Sequence, residues 1–483
     1  MGRSIFKNVL YNLLLQIATM FLPLVTVPYV SRVLGADGVG TYSYTLSISQ
    51  YFILIGTLGL SLYGNRQIAY TRDNKDAMSK TFWSILLLRI ATTGVALLIY
   101  LAVFSGVGIY RTIFMIQTIN IVSALIDISW LYIGIEDFKK IVTRNVAIKI
   151  IGVILIFVFV KSSEDLDLYT IINVIAGLLG NAVMWLYLPS VISKVKVSIK
   201  DILVHVGPSL KLFVPQIAIQ IYAVLDKTMI GLLSTVTEVG YYEQSEKIVK
   251  SVLSLVTVLG TVMLPRMSNL FANGSKEQMD DYFNNSLRGV AYISIPLTIG
   301  LISISNEFVP WFFGKGFGPV KYNLVLLAPI LFLIAMSNVT GIQYLLPANR
   351  TREYTVSVTV GAAINFFINL LLIPKLYSFG ACIGTLVAEL AVTLIQFYSL
   401  RSVVDFRDYL DGLAKYVVSG TVMLLAIRGL SIFLHTGVST TLIQIITGII
   451  IYIVLLKLMK EKVNNKVISI ILSFGKKVVA NNP

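Results

Sequence analysis

Long apolar runs separated by short polar or charged breaks dominate the chain. They predict about 14 helices, over 8–31, 40–63, 82–105, 109–134, 142–160, 169–192, 210–233, 239–265, 288–312, 320–346, 354–374, 379–400, 413–434 and 440–459. A helix of about 20 apolar residues crosses the roughly 30 Å hydrocarbon core of a bilayer. The predicted fold class is therefore an all-α polytopic membrane protein. An even number of spans puts both termini on one side.

The run 239–265 departs from the pattern. Its first half carries Glu243, Glu246, Lys247 and Lys250, spaced i, i+3, i+4 and i+7, which on a helix is one stripe. Each charge at the centre of a membrane costs about 2.5–3.5 kcal/mol on insertion scales. Such a stripe must pair internally, face a wet cavity, or both. Glu243–Lys247 and Glu246–Lys250 are i,i+4 pairs of the kind that link on a helix surface. A ladder and a substrate-contacting face are equally open readings, and they are compatible.

A weak internal repeat gives the stripe a setting. At an offset of 200 residues, Gly38-Val39-Gly40-Thr41-Tyr42 falls on Glu238-Val239-Gly240-Tyr241-Tyr242, Gln16 on Gln216 and Arg66 on Arg266. Six helices lie between equivalent points, so the copies share one orientation, as in transporters built from parallel halves. The predicted organisation is a six-helix lobe over 1–200, a second over 201–405, two further helices over 406–460 and a tail over 461–483. In the second helix Ser43, Ser47, Gln50, Thr57 and Ser61 occupy the positions of Glu243, Lys247, Lys250, Thr257 and Thr261 in the eighth. The first helix carries Asn8, Asn12, Gln16 and Thr19, and its counterpart, the seventh, carries Gln216, Gln220 and Lys227. Helices 1, 2, 7 and 8 are thus expected to line one cavity.

Other charges lie within predicted spans: Arg89, Asp127, Lys149, Asp226 and Glu389. Arg89 and Lys149 are long enough to snorkel to an interface, which is the favoured reading for Arg89. Asp127 and Glu389 are too short for that and must be protonated or paired. Asp226 and Lys227 are neighbours about 100° apart on a helix and cannot share a face. The candidate substrate-binding residues are Lys227, Lys247, Lys250, Arg89, Lys149, Gln16, Gln50, Gln216 and Gln220. The candidate ion-coupling residues are Glu243, Glu246, Asp127, Asp226 and Glu389.

Composition excludes several functions. Only 13% of residues are charged, about half the share in soluble domains. The net charge of +15 is concentrated at the N-terminus and after even-numbered helices, as at Arg66, Arg72, Lys75, Lys80, Lys139, Lys140, Arg144, Lys194, Lys196 and Lys200. By the positive-inside rule both termini are expected in the cytoplasm, and no nucleic-acid partner is needed. One Cys and two His leave no internal disulfide and argue against a zinc site or any other metal centre. No GxxxxGK[ST] occurs, so the chain has no P-loop of its own. In the tail, Val463, Val467, Ile470, Ile471 and Phe474 recur at helical spacing beside lysines, an expected interfacial anchor.

Four segments carry a family resemblance: Pro28-Tyr29-Val30-Ser31-Arg32-Val33-Leu34-Gly35-Ala36-Asp37-Gly38-Val39-Gly40, Tyr63-Gly64-Asn65-Arg66-Gln67-Ile68-Ala69, Asp127-Ile128-Ser129-Trp130-Leu131-Tyr132-Ile133-Gly134-Ile135-Glu136-Asp137-Phe138 and Val239-Gly240-Tyr241-Tyr242-Glu243-Gln244-Ser245-Glu246-Lys247. In order and spacing the chain resembles the Wzx-type oligosaccharide flippases, in the polysaccharide-transporter branch of the MOP superfamily. The resemblance implies two six-helix lobes around a cationic cavity and alternating access. It implies transport of undecaprenyl-diphosphate-linked oligosaccharide to the outer leaflet of a bacterial plasma membrane, for capsule or another surface glycan. The implied partners are that lipid-linked substrate, membrane lipids, a polysaccharide polymerase and glycosyltransferases. No cofactor is implied beyond an H+ or Na+ gradient. It assigns no individual site residue. The alternatives are a MATE-like cation exporter, a peptidoglycan-precursor flippase and a membrane glycosyltransferase; the short polar breaks disfavour the last.

Overall fold

The computed structural model describes residues 2–106, 108–469 and 473, in backbone alone over 2–21 and at scattered positions of 214–223 and 258–265. Among the described residues all regular structure is helical. In chain order come α1 (Gly2–Thr57), α2 (Leu60–Thr71), α3 (Lys75–Phe104), α4 (Arg111–Leu125), α5 (Ser129–Gly134) and α6 (Phe138–Phe159). A 3-10 turn precedes α7 (Leu166–Leu186), α8 (Leu188–Val191), α9 (Ile199–Leu203) and α10 (Val206–Leu233). Then follow α11 (Val236–Ala272), α12 (Lys276–Phe313), α13 (Val320–Leu327), α14 (Pro329–Ser337), a π-helical stretch at Asn338–Leu345, α15 (Thr351–Ser399), α16 (Phe406–Ser431) and α17 (Val438–Leu458). Among the described residues, 10 helical stretches are long and apolar enough to cross a membrane. The protein is an all-α polytopic membrane protein.

The breaks are tighter than the hydropathy pattern suggests. The gap expected over 32–39 shrinks to one residue, Gly35, with φ 67° and ψ −179° inside α1. That backbone region is essentially open to glycine alone. Pro23 and Pro28 lie within α1 without ending it. In α15 the break is again one residue, Tyr377 at φ 55°. Helices also outrun the apolar cores that announce them: α12 starts at Lys276, well before 288, and α11 continues to Ala272. Their polar ends satisfy backbone groups within the helix and need not be apolar where they leave hydrocarbon.

The chain folds as two compact units, Met1–Gly240 and Tyr241–Pro483. In the first, α1 packs on α3, α4, α6 and α10, and α2 lies along α5. The Phe82 and Trp130 rings stack at 5.4 Å. A Cβ on Gly64 would sit 2.6 Å from the Trp130 ring, and one on Gly134 2.7 Å from Ile68. Two of the segments that carry the family resemblance are therefore halves of a single packing contact.

In the second unit α12 packs on α14, α16 and α17. Arg288, buried on α12, pairs with Asp408 and with Glu461 at 2.8 Å. Glu461 also accepts from Tyr416 Oη at 3.0 Å and from the backbone N–H of Asn464 at 2.7 Å. The start of the tail is thus held against α12 and α16. Of the expected interfacial stretch, 470–472 and 474 onward lie outside the described residues.

Candidate functional site

The charged stripe forms the ladder that its spacing allows. Lys247 Nζ lies 2.9 Å from Glu243 Oε1, and Lys250 Nζ lies 2.6 Å from Glu246 Oε1. The pairs are lopsided: the Glu243 and Glu246 side chains are 8% and 10% exposed, those of Lys247 and Lys250 34% and 52%. Carboxylates point inward and ammonium groups outward. An i,i+4 pair on a helix surface contributes about 0.2–0.5 kcal/mol, well short of the about 2.5–3.5 kcal/mol for each charge at mid-membrane. The ladder therefore shields the glutamates, and the lysines are the more exposed half of each pair.

In the first unit, the polar faces of α1 and α10 meet. Ser47 Oγ and Thr228 Oγ1 lie 2.9 Å apart. Ser43 and Ser47 are buried, Asp226 is buried beside Thr228, Lys227 is half-buried, and Gln50 and Gln220 are exposed. Asp226 and Lys227 thus differ in environment, as their angular separation requires. The side chains of Gln16 and Gln216 lie outside the described residues.

The repeat offset is visible at one crossing. A Cβ on Gly40 would lie 1.6 Å from the Val236 carbonyl oxygen, and one on Gly240 2.1 Å from that of Ala36. Thr237 donates to Asp37 at 3.0 Å. Positions 36, 37 and 40 thus meet 240, 237 and 236, the reciprocal contact expected of segments crossing at a two-fold axis.

Arg89 does not snorkel. Its side chain is 2% exposed and lies 3.5 Å from Asp127. It donates to Ala124 O at 2.8 Å and to Ser61 Oγ at 2.9 Å. Ala124 is in the last turn of α4, where carbonyls lack helical partners and a cation is favoured. Asp127, half-buried and paired, one of the two states expected of it, also accepts from the Ser129 N–H at 2.9 Å and from its hydroxyl at 2.5 Å.

Glu389 is buried on α15 with Thr393 and Gln396. Thr393 donates to Leu333 O at 3.1 Å, Gln396 donates to Ser357 at 3.0 Å, and Thr340 of the π-helical stretch donates to Gln396 at 2.6 Å. This face is a polar seam within the second unit. Lys149, exposed on α6, lines a cavity together with Arg144. Arg144 escapes sequence reasoning because it groups with Lys139 and Lys140 as a positive residue of the break, whereas the helix begins at Phe138 and carries it half-buried.

The family model described as "Polysaccharide biosynthesis protein" matches residues 5–271. The chain belongs to that family. All four segments that resemble the Wzx-type flippases lie within the matched residues. A second model, "Lipid II flippase MurJ", matches residues 141–448. The chain is 25% identical over 411 residues to the "Putative O-antigen transporter" of Escherichia coli (strain K12), covering 83% of this chain and 97% of that one. The fold matches "Lipid II flippase MurJ, inward closed conformation" at TM-score 0.75 and 16% identity, covering 95% of this chain and 99% of that one. An inward-facing MATE transporter of the MOP superfamily matches at TM-score 0.60 and 11% identity, covering 85% and 96%. The family's members are transporters and flippases, and the protein is a membrane transporter rather than an enzyme.

Proposed function

We propose that the protein flips undecaprenyl-diphosphate-linked oligosaccharide from the inner to the outer leaflet of the bacterial plasma membrane, by ion-coupled alternating access. The glycan is a repeat unit of capsule or another surface polysaccharide. Both termini are cytoplasmic on this reading, with a polymerase and glycosyltransferases acting on the same lipid carrier. The observation that carries it is the outward placement of Lys247 and Lys250 over buried glutamates. A diphosphate cannot enter hydrocarbon unpaired, and lysines at membrane depth meet its charge. The relatives' names supply the glycan class. Glu243, Glu246, Asp127, Asp226 and Glu389 are the acids through which a proton or Na+ could bias one conformation; Asp127 is paired with Arg89, and Glu243 and Glu246 with Lys247 and Lys250.

The second reading, a cation exporter, draws on the fold likeness to a multidrug MATE transporter. It calls for acids, not lysines, on the exposed face. The deciding experiment deletes the gene while the enzymes assembling the lipid-linked glycan are retained and no backup flippase is present. The proposal expects repeat units to accumulate facing the cytoplasm. Normal export of the glycan would end it.

A further inference from the structure

Two acceptor oxygens where α12 meets α17 are buried and unpaired among the described residues: Glu307 Oε2 and Gln444 Oε1. Glu307 is 8% exposed and Gln444 0%. The two helices run antiparallel, since Trp311 donates to Thr441 at 2.8 Å while Tyr452, farther along α17, donates to the carbonyl of Tyr292 at 3.0 Å. Glu307 lies four residues before Trp311 and Gln444 three after Thr441. Each therefore stands on the face that carries that bond, about 4.5–6 Å deeper along its helix. Both open on the junction of α12, α16 and α17, where Gln444 and Ile304 line a cavity of about 390 Å³.

The donors nearby are already engaged. Gln444 gives its own amide to Ser431 at 2.8 Å. Ser431 donates to Ile427 O, Thr441 to Gly437 O and Ser303 to Ile299 O. Arg428, the cation of α16 at this end, donates to Ile302 O at 2.8 Å. Lys321 of α13 lies over the Tyr322 ring at 4.6 Å, and Lys315 and His435, in the flanking loops, are exposed. Neither α14 nor the first half of α17 carries an ionisable residue. A buried carboxylate without a partner is costly in any fold. A water molecule can donate to both oxygens but leaves the negative charge in place, whereas a cation answers both.

We propose that Glu307 and Gln444 bind a monovalent cation between them at this junction, a proton or Na+. A single carboxylate matches a single positive charge. A proton would sit on the Glu307 carboxyl and be donated to the Gln444 amide oxygen. Na+ would take one oxygen from each side chain and draw on the free lone pairs of the Ser303 and Thr441 hydroxyls, one turn away on the same faces. The site uses none of the acids named above for coupling, lies partly on helices outside the internal repeat, and binds its ion whether or not the protein transports.

Thermal unfolding of the purified full-length protein is followed in detergent as choline chloride is replaced by NaCl at constant ionic strength, beside infrared spectra of the same samples. If Na+ occupies the site, the unfolding temperature rises with NaCl. Glu307→Gln and Gln444→Met then each raise the half-saturating concentration at least tenfold, as the loss of a charge-assisted contact implies. If a proton occupies it, the infrared spectrum carries the band of a protonated carboxyl, absent in Glu307→Gln and displaced in Gln444→Met. Either pattern supports the site and names its ion. Gln444→Met leaves the carboxylate in place, so the test stands even where Glu307→Gln fails to fold. A folded variant of either kind that leaves both the Na+ response and the infrared band unchanged overturns the proposal. Glycan export is not part of the readout, so that failure would leave the function proposed above standing.

Discussion

At Gly40 and Gly240 the absence of a methyl group lets two helices meet. Each missing Cβ would fall within 2.1 Å of a backbone oxygen, and backbone cannot rotate away as a side chain can. Gly40→Ala should therefore cost about 1–3 kcal/mol, the usual penalty for overpacking, read as a lower unfolding temperature in detergent. An unchanged temperature would mean that the crossing is looser than described. Arg89 and Asp127 make a second test. Asp127→Asn leaves Arg89, 2% exposed, without its charge partner; because Asp127 is 25% exposed, the cost should fall below the about 3–5 kcal/mol of a fully buried pair. The double variant Arg89→Met/Asp127→Asn should recover part of that, because no uncompensated charge remains. Equal loss in the single and double variants would show that the two residues do not act as a pair.

At the scale of elements, α11 can be tested by exchanging its charges. Glu243→Lys with Lys247→Glu preserves an i,i+4 pair and puts an acid where an ammonium group faced outward. If the ladder only stabilises the helix, folding and transport both survive. If the lysines meet an anion, the protein folds and glycan export falls at least tenfold, as one lost charge-assisted contact implies. The joint between α9 and α10 makes a pH prediction. His205 accepts or donates at Nδ1 to Tyr63 Oη at 2.8 Å, and burial lowers its pKa, with Asp201 opposing. A base whose folded pKa lies below its unfolded value binds fewer protons when folded, so stability falls as pH drops below about 6.5. Asp201, bonded to Lys80 at 2.8 Å, is held at about 2; the stability it lends persists above the ordinary Asp range and is lost only in strong acid. Between pH 7.5 and 5.5 the unfolding temperature should fall in the native protein and fall less in His205→Asn. Identical slopes would contradict this.

At the scale of the molecule, the parts legible in the sequence are those set by short spacings. The α11 ladder follows from i,i+4 geometry, whereas the 200-residue offset aligned Gly40 with Gly240 without indicating that their segments cross. The Arg89 pairing was hidden because Asp127 lies in the break between α4 and α5, far along the chain from α3, and the length of an arginine side chain alone favoured snorkelling. Arg144 was hidden because a basic residue beside Lys139 and Lys140 at the start of a run reads as part of the positive-inside signal. The single-residue breaks at Gly35 and Tyr377 and the π-helical stretch at Asn338–Leu345 depend on packing that no local pattern encodes. The central claim remains that outward lysines of a Wzx-type fold carry a lipid diphosphate across the bilayer. The most direct measurement reconstitutes the protein in liposomes bearing a fluorescent undecaprenyl-diphosphate oligosaccharide and follows its exposure to an impermeant glycosidase. The account predicts time-dependent exposure beyond that of protein-free liposomes, lost in Lys247→Ala/Lys250→Ala protein that still inserts. Exposure no faster than in protein-free liposomes, or equal in the variant, would contradict it.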